Sequence, residues 1–199
     1  MKLKDIVIVA LLSVVGFVLS MAAGMGTQAL GTFGVFVHVS LGSILVGPIY
    51  FVMCHKVPAR GVVVIYYTLA GIIYSLIGFV PMLPVMIAAG LVGELCIWSR
   101  ANYTDDLRLG ISYVASQVIY ALHGFFFILV LGVEGLVDTF PNLFTEEAAQ
   151  HVKDTFFDPA TMAIILVIEL VAASFGAWLG SVINAKFFDG TGEREKILS

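Results

Sequence analysis

Charge is scarce in this chain. Only 12% of its 199 residues are Asp, Glu, Lys or Arg, while 60% are apolar and the mean hydropathy is +1.03. A soluble domain carries about 25% charged and about 45–50% apolar residues. An ordinary soluble globule, a disordered chain and a nucleic-acid binder are therefore excluded. Cysteine is equally sparse: Cys54 and Cys96 stand far apart with no CxxC, so neither a disulfide framework nor a zinc site is indicated. HExxH, GxSxG, Walker GxxxxGKS/T and paired intramembrane aspartates are all missing. No enzyme is expected, and ATP can be used only by other chains. An Arg-rich sensor helix and a TVGYG-like channel filter are missing too.

What the chain does have is long apolar runs. A bilayer core about 30 Å thick needs roughly 20 apolar residues per helix. Six runs qualify, at 6–23, 33–53, 62–79, 81–98, 109–133 and 159–188. The expectation is one all-α membrane domain over 1–199, a six-helix bundle in the bacterial cytoplasmic membrane. The last span opens on Asp158-Pro159, an N-cap acid followed by proline in the first turn. The first run is longer than a signal-peptide core, so it reads as a retained helix. Lys2, Lys4, Lys56, Arg60, Arg100, Arg108, Lys186, Arg194 and Lys196 fall on one side, which is nine of ten basic residues; only Lys153 falls on the other. Both termini are then cytoplasmic. The 134–158 loop on the outside is acidic. Within it, Thr145-Glu146-Glu147 reads as a helix start, with Ala148, Ala149, Val152 and Phe156 along one face of a short amphipathic helix.

Ionisable groups inside a span cost at least about 2.5–3.5 kcal/mol on insertion scales. Glu169 is the most anomalous, near mid-membrane in the last span. It reads as a ligand contact, a proton site or a neutral hydrogen-bonded acid. Glu94 sits one turn from a cytoplasmic end and can snorkel. Gln117 lies inside the fifth span. His38 and His123 fall in the outer part of their helices, and ten of the fifteen phenylalanines belong to the outer half. An aromatic, sparsely polar, outward-facing cavity suits a flat organic ligand. His38, His123, Phe36, Phe79, Phe126, Gln117 and Glu169 are its candidate lining. His38 and His123 would be iron ligands if that molecule is haem; no other metal is expected. Series of small residues spaced by four let helix backbones approach in lipid. Of these, Gly16, Ser20, Gly176 and Gly180 are candidates for docking a separate membrane subunit, the alternative being internal packing.

Several stretches resemble one family. They are LKDIVIVALLSVVGF at the start, GPIYFVMCHKVPARG between spans two and three, and AGLVGELCIWSRANY closing span four. EEAAQHVKDTFFDP then leads into ASFGAWLGSVINAKFF. Together these resemble the Trep_Strep family of substrate-binding S components of energy-coupling factor (ECF) transporters, over nearly the whole chain. The tail AKFFDGTGEREKILS lacks the strongly basic end usual there. The Ala-xxx-Ala docking motif of many S components reads Ala10 and Val14 here, with Ser13, Gly16 and Ser20 the nearest small residues. The resemblance implies a six-helix subunit of an ABC-type importer that captures a vitamin or similar micronutrient, haem among the options, from outside. It would dock on a transmembrane coupling subunit driven by two cytoplasmic ATPases, with the helix before the last span closing the pocket. Two other readings stay open: a stand-alone secondary transporter or channel using Glu169, and a membrane enzyme using Glu169 or Glu94 with His123.

Overall fold

The computed structural model describes residues 1–27, 29 and 32–188, with backbone only at 32, 33, 35 and 36. Among the described residues the chain is helical throughout, without a strand. Its helices are α1 (Leu3–Thr27), α2 (Thr32–Lys56), α3 (Val62–Leu76), α4 (Met82–Ile97), α5 (Asp106–Ala121), α6 (His123–Thr139), α7 (Glu146–Phe157) and α8 (Pro159–Phe187). A 3-10 turn at Arg100–Thr104 joins α4 to α5. Four stretches are long and apolar enough to cross a membrane: Leu3–Thr27, Val37–Lys56, Asp106–Thr139 and Pro159–Phe187. α3 and α4, of 15 and 16 residues, are apolar but shorter.

The fifth expected span, 109–133, is two helices. α5 stops at Ala121 and α6 starts at His123, with Leu122 between them. A second irregularity lies further along, where Gly132 takes φ 69° and ψ −176°, a conformation outside the helical region that only glycine adopts readily. The amphipathic helix read from Thr145-Glu146-Glu147 is present as α7, and Thr145 accepts from the Ala148 amide at its N-cap.

Helix starts follow from local chemistry. Asp105 and Asp158 cap α5 and α8, accepting from the amides of Arg108 and Thr161. The start of α3 has no such residue, because Gly61 stands at its N-cap. Glu94 of α4 supplies the acceptor instead, taking the amides of Gly61 at 2.6 Å and Val63 at 3.3 Å and the hydroxyl of Tyr103. Glu94 is thus a cap delivered in trans rather than a snorkelling acid. Burial first, then the Glu94 carboxylate, pushes the Tyr103 phenol well above its usual range, so it stays a donor.

Apolar area gives helices little drive to associate in lipid, so close packing and interhelical hydrogen bonds hold such bundles. Both are present. A Cβ on Gly176 of α8 would lie 2.3 Å from the Ser43 carbonyl of α2, and one on Gly47 would lie 2.1 Å from the Gly176 carbonyl. The two backbones touch. Beside that seam, Glu169 is fully buried and accepts from Ser40 Oγ (2.7 Å) and Ser43 Oγ (2.5 Å). On α1, a Cβ at Gly16 would meet the Tyr66 hydroxyl of α3. Ser112 and Ser116 of α5 donate to the carbonyls of Gly93 and Ala89 on α4. The opposite faces of α1 and α8 present Leu11, Val18, Val167 and Val171, large apolar side chains more than half exposed. Lipid is their natural neighbour.

Candidate functional site

The C-terminal end of α1, the N-terminal end of α2, the α3–α4 corner, the α5–α6 junction and α7 enclose a cavity of about 550 Å³. Six phenylalanine and tyrosine rings and two imidazoles stand in its walls. Phe79 faces Phe140 at 5.3 Å between ring centroids, and Phe127 stacks on Phe140 at 6.1 Å. Phe144, Val152 and Phe156 close it from the side of α7. The ring of Phe156 lies over Gly124, where a Cβ would stand 2.4 Å from the ring. Any larger residue at 124 would push α7 away.

Two histidines stand in this space. The rings of His38 and His123 meet edge to face, 5.2 Å apart at 74°. His123 stacks on Tyr120 at 5.7 Å and meets Phe127 edge-on at 5.6 Å. Its Nδ1 is 2.9 Å from the Tyr120 carbonyl oxygen. A carbonyl only accepts, so Nδ1 carries the proton, and in the neutral ring Nε2 is an acceptor. Deeper still, the hydroxyls of Tyr74 and Tyr120 are hydrogen-bonded at 2.6 Å. Thr27 donates to the Gly24 carbonyl at 2.7 Å and so is already partnered. No Asp, Glu, Lys or Arg lines the cavity among the described residues. The stretch 28–36, part of which lies outside them, contains no charged residue either. The site is suited to an uncharged, flat guest with few polar groups.

Of the residues expected to line it, His38, His123 and Phe79 do so. Phe126 does not: it packs against the core with its ring near Phe125, and Phe127 takes the cavity position. The side chain of Phe36 lies outside the described residues. Gln117 is absent from the main cavity and lines a small inner void of about 20 Å³ behind it. Glu169 is not in the cavity; it clamps α2 to α8. Tyr74, Tyr120 and Met82 were missed. Tyr120 had a usable signal, since it precedes His123 by three in a run that reads as one helix.

The expected docking residues fall mostly inside the bundle. Ser13 and Gly16 are buried within the bundle, and Gly176 and Gly180 pack on α2, where a Cβ at 180 would meet Phe51 and the Gly47 carbonyl. Ser20 packs near Gly42 and lines the cavity, while Ala10 is half-buried. Ser13, Gly16, Gly176 and Gly180 thus serve internal packing. A larger hollow of about 830 Å³ is a trough between α5 and α8, lined by Leu107, Ile111 and Trp178 and open on the side away from the bundle core. Among the described residues, no group of three or more His, Cys, Asp or Glu side chains is placed to hold a metal ion.

No curated protein and no solved structure matches the chain. A family of hypothetical bacterial integral membrane proteins, Trep_Strep, matches residues 3–189. With that match spanning nearly all of a chain built from long apolar helices, this multi-pass protein of the bacterial membrane belongs to the Trep_Strep family.

Proposed function

We propose that this chain is the substrate-binding S component of an ECF-type importer, taking up an uncharged, flat, micronutrient-like molecule. The observation that carries the reading is the 550 Å³ aromatic cavity, walled by five parts of the chain and roofed by the short helix α7. Six crossings fit this fold: α1, α2, α3, α4, α5 with α6, and α8. The basic residues of the 56–61 and 98–108 connections sit at the end opposite the cavity, which supports a cytoplasmic side for that end and for both termini. The cavity then faces outward under the acidic α7. A transmembrane coupling subunit and two cytoplasmic ATPases would supply the energy, since no nucleotide motif is present in this chain.

Haem suits the cavity less well than a neutral guest. His38 and His123, 5.2 Å apart between ring centroids, are the residues that would hold its iron. The propionates of haem would find no cation in the walls. A secondary transporter would need Glu169 open to water, yet Glu169 is fully buried between two serines.

The test is purification of the whole chain in mild detergent, followed by mass spectrometry of released small molecules and of co-purifying proteins. A near-stoichiometric neutral aromatic compound, together with a coupling subunit and ATPases, is the expected result. A solitary chain that catalyses ion-dependent flux in liposomes would overturn the proposal.

A further inference from the structure

Behind the main cavity lies the inner void of about 20 Å³, room for one water-sized group. Ser20, Tyr74 and Tyr120 line both spaces, and the hydrogen-bonded hydroxyls of Tyr74 and Tyr120 form their common wall. Two further polar atoms belong to its lining residues. Gln117 Oε1 and the Tyr67 hydroxyl are buried, on residues 4% and 1% exposed, and neither makes a hydrogen bond of full geometry, although Ser116 approaches the Tyr67 hydroxyl. Leaving a buried polar atom unpaired gives up its contact with water with no hydrogen bond in return. Such a pair beside a ligand cavity is a recognition element in want of its complement.

We infer that the void is a deep subsite that selects the substrate by a terminal primary amide. This rests on the main cavity being the binding site. The chemistry assigns the roles. Gln117 Oε1 only accepts, so it calls for an N–H donor. The Tyr67 hydroxyl can donate, so it calls for an acceptor. A carboxamide offers both on one carbon without a charge, and its NH2 matches the size of the void. Parting the Tyr74–Tyr120 pair joins the subsite to the cavity, where the aromatic body of the substrate lies among Phe79, Phe127 and His123. The substrate class is therefore a flat, neutral aromatic carboxamide.

Two probes of nearly the same shape test this: 2-naphthamide, and 2-acetylnaphthalene, in which a methyl group replaces the NH2. Binding of each to the full chain is measured by titration calorimetry in detergent, against detergent-only blanks. The amide is expected to bind about tenfold more tightly than the ketone, the range set by one unpaired buried group. Gln117→Met should bring that ratio to within twofold, with ketone affinity unchanged. Tyr67→Phe, which preserves the ring and the fold, should weaken the amide and the ketone alike, since both present a carbonyl. Equal binding of the two probes to the wild type, or a preference that survives Gln117→Met, would show that the void holds only structural water and would overturn the subsite alone. Failure of both probes to bind would overturn the cavity as a site for flat neutral molecules, and the subsite with it.

Discussion

One position along a helix turns a side chain by about 100°, and that turn separates Phe126 from Phe127. Phe127 is in the cavity wall, stacked on Phe140 and edge-on to His123, whereas Phe126 packs on the core outside it. Phe127→Ala should therefore weaken 2-acetylnaphthalene binding about tenfold or more, since burying one such ring is worth about 1.5–3 kcal/mol. Phe126→Ala should leave the affinity within twofold. Titration calorimetry on both variants decides, and a larger loss for Phe126→Ala would mean the wall is wrongly drawn. The run Phe125-Phe126-Phe127 has no periodicity from which a face could be chosen, so the sequence pattern could supply the aromatic character of the site but not the correct ring. The histidines were easier to place, because a polar ring in an apolar run must point at something. Glu169 was equally visible by type, but its destination was not. Its partners Ser40 and Ser43 lie more than a hundred positions away, and nothing local announces them.

The seam between α2 and α8 shows the same division between elements. Glycines spaced by four are plain in the sequence, yet a seam for another subunit and a seam for the chain's own helix read alike, because both require only that backbones approach. The close approach of Gly176 to the Ser43 carbonyl puts this glycine in the chain's own seam. Gly176→Leu should accordingly destabilise the bundle itself rather than release a partner. In a thermal melt in detergent the variant should unfold far below the wild type or fail to accumulate; a wild-type melt with lost co-purification would restore the docking role. The start of α8 makes a different prediction. Asp158 accepts from the Thr161 hydroxyl at 2.6 Å and its amide at 2.8 Å. The hydroxyl bond first, then the amide bond, holds this carboxyl below its usual range. A depressed value means that the cap's contribution is full above the ordinary aspartate value and fades as pH falls through the folded one. The melting gap between wild type and Asp158→Ala should thus be flat from about pH 7 to about pH 5 and narrow below about pH 4. Asp158→Asn, which caps without titrating, should lack that narrowing. A wild-type gap that stays constant down to about pH 3 would remove the carboxylate from the cap.

For the molecule in its membrane, the open quantity is the number of crossings. At about 1.5 Å per residue, α3 and α4 are roughly 22–24 Å long, short of a core about 30 Å thick. Shortness alone does not stop a crossing, because a bilayer thins around a short helix at a cost of fractions of a kcal/mol per Å. The alternative, a hairpin that enters and leaves by the same face, would bring the α3–α4 corner back to the cytoplasm. That corner carries Phe79 and Met82 into the cavity, beside the ends of α1 and α2 and beneath α7. It therefore lies level with the 140–158 segment, and the cavity can face outward only if α3 and α4 both cross. The apolar runs were legible one by one because each approaches bilayer length. The break at Leu122 was not, since no proline marks it and the hydrophobic run passes straight through. Three single cysteines, in a background where Cys54 and Cys96 are replaced by alanine, measure the topology directly. Val80 is 61% exposed at the corner, and Arg60 and Lys153 are exposed on the connections to either side. With a membrane-impermeant maleimide on intact cells, Val80→Cys and Lys153→Cys should label at once. Arg60→Cys should label only after permeabilisation. Val80→Cys following Arg60→Cys would make α3 and α4 a re-entrant hairpin, close the cavity to the outside, and remove the basis for uptake through it.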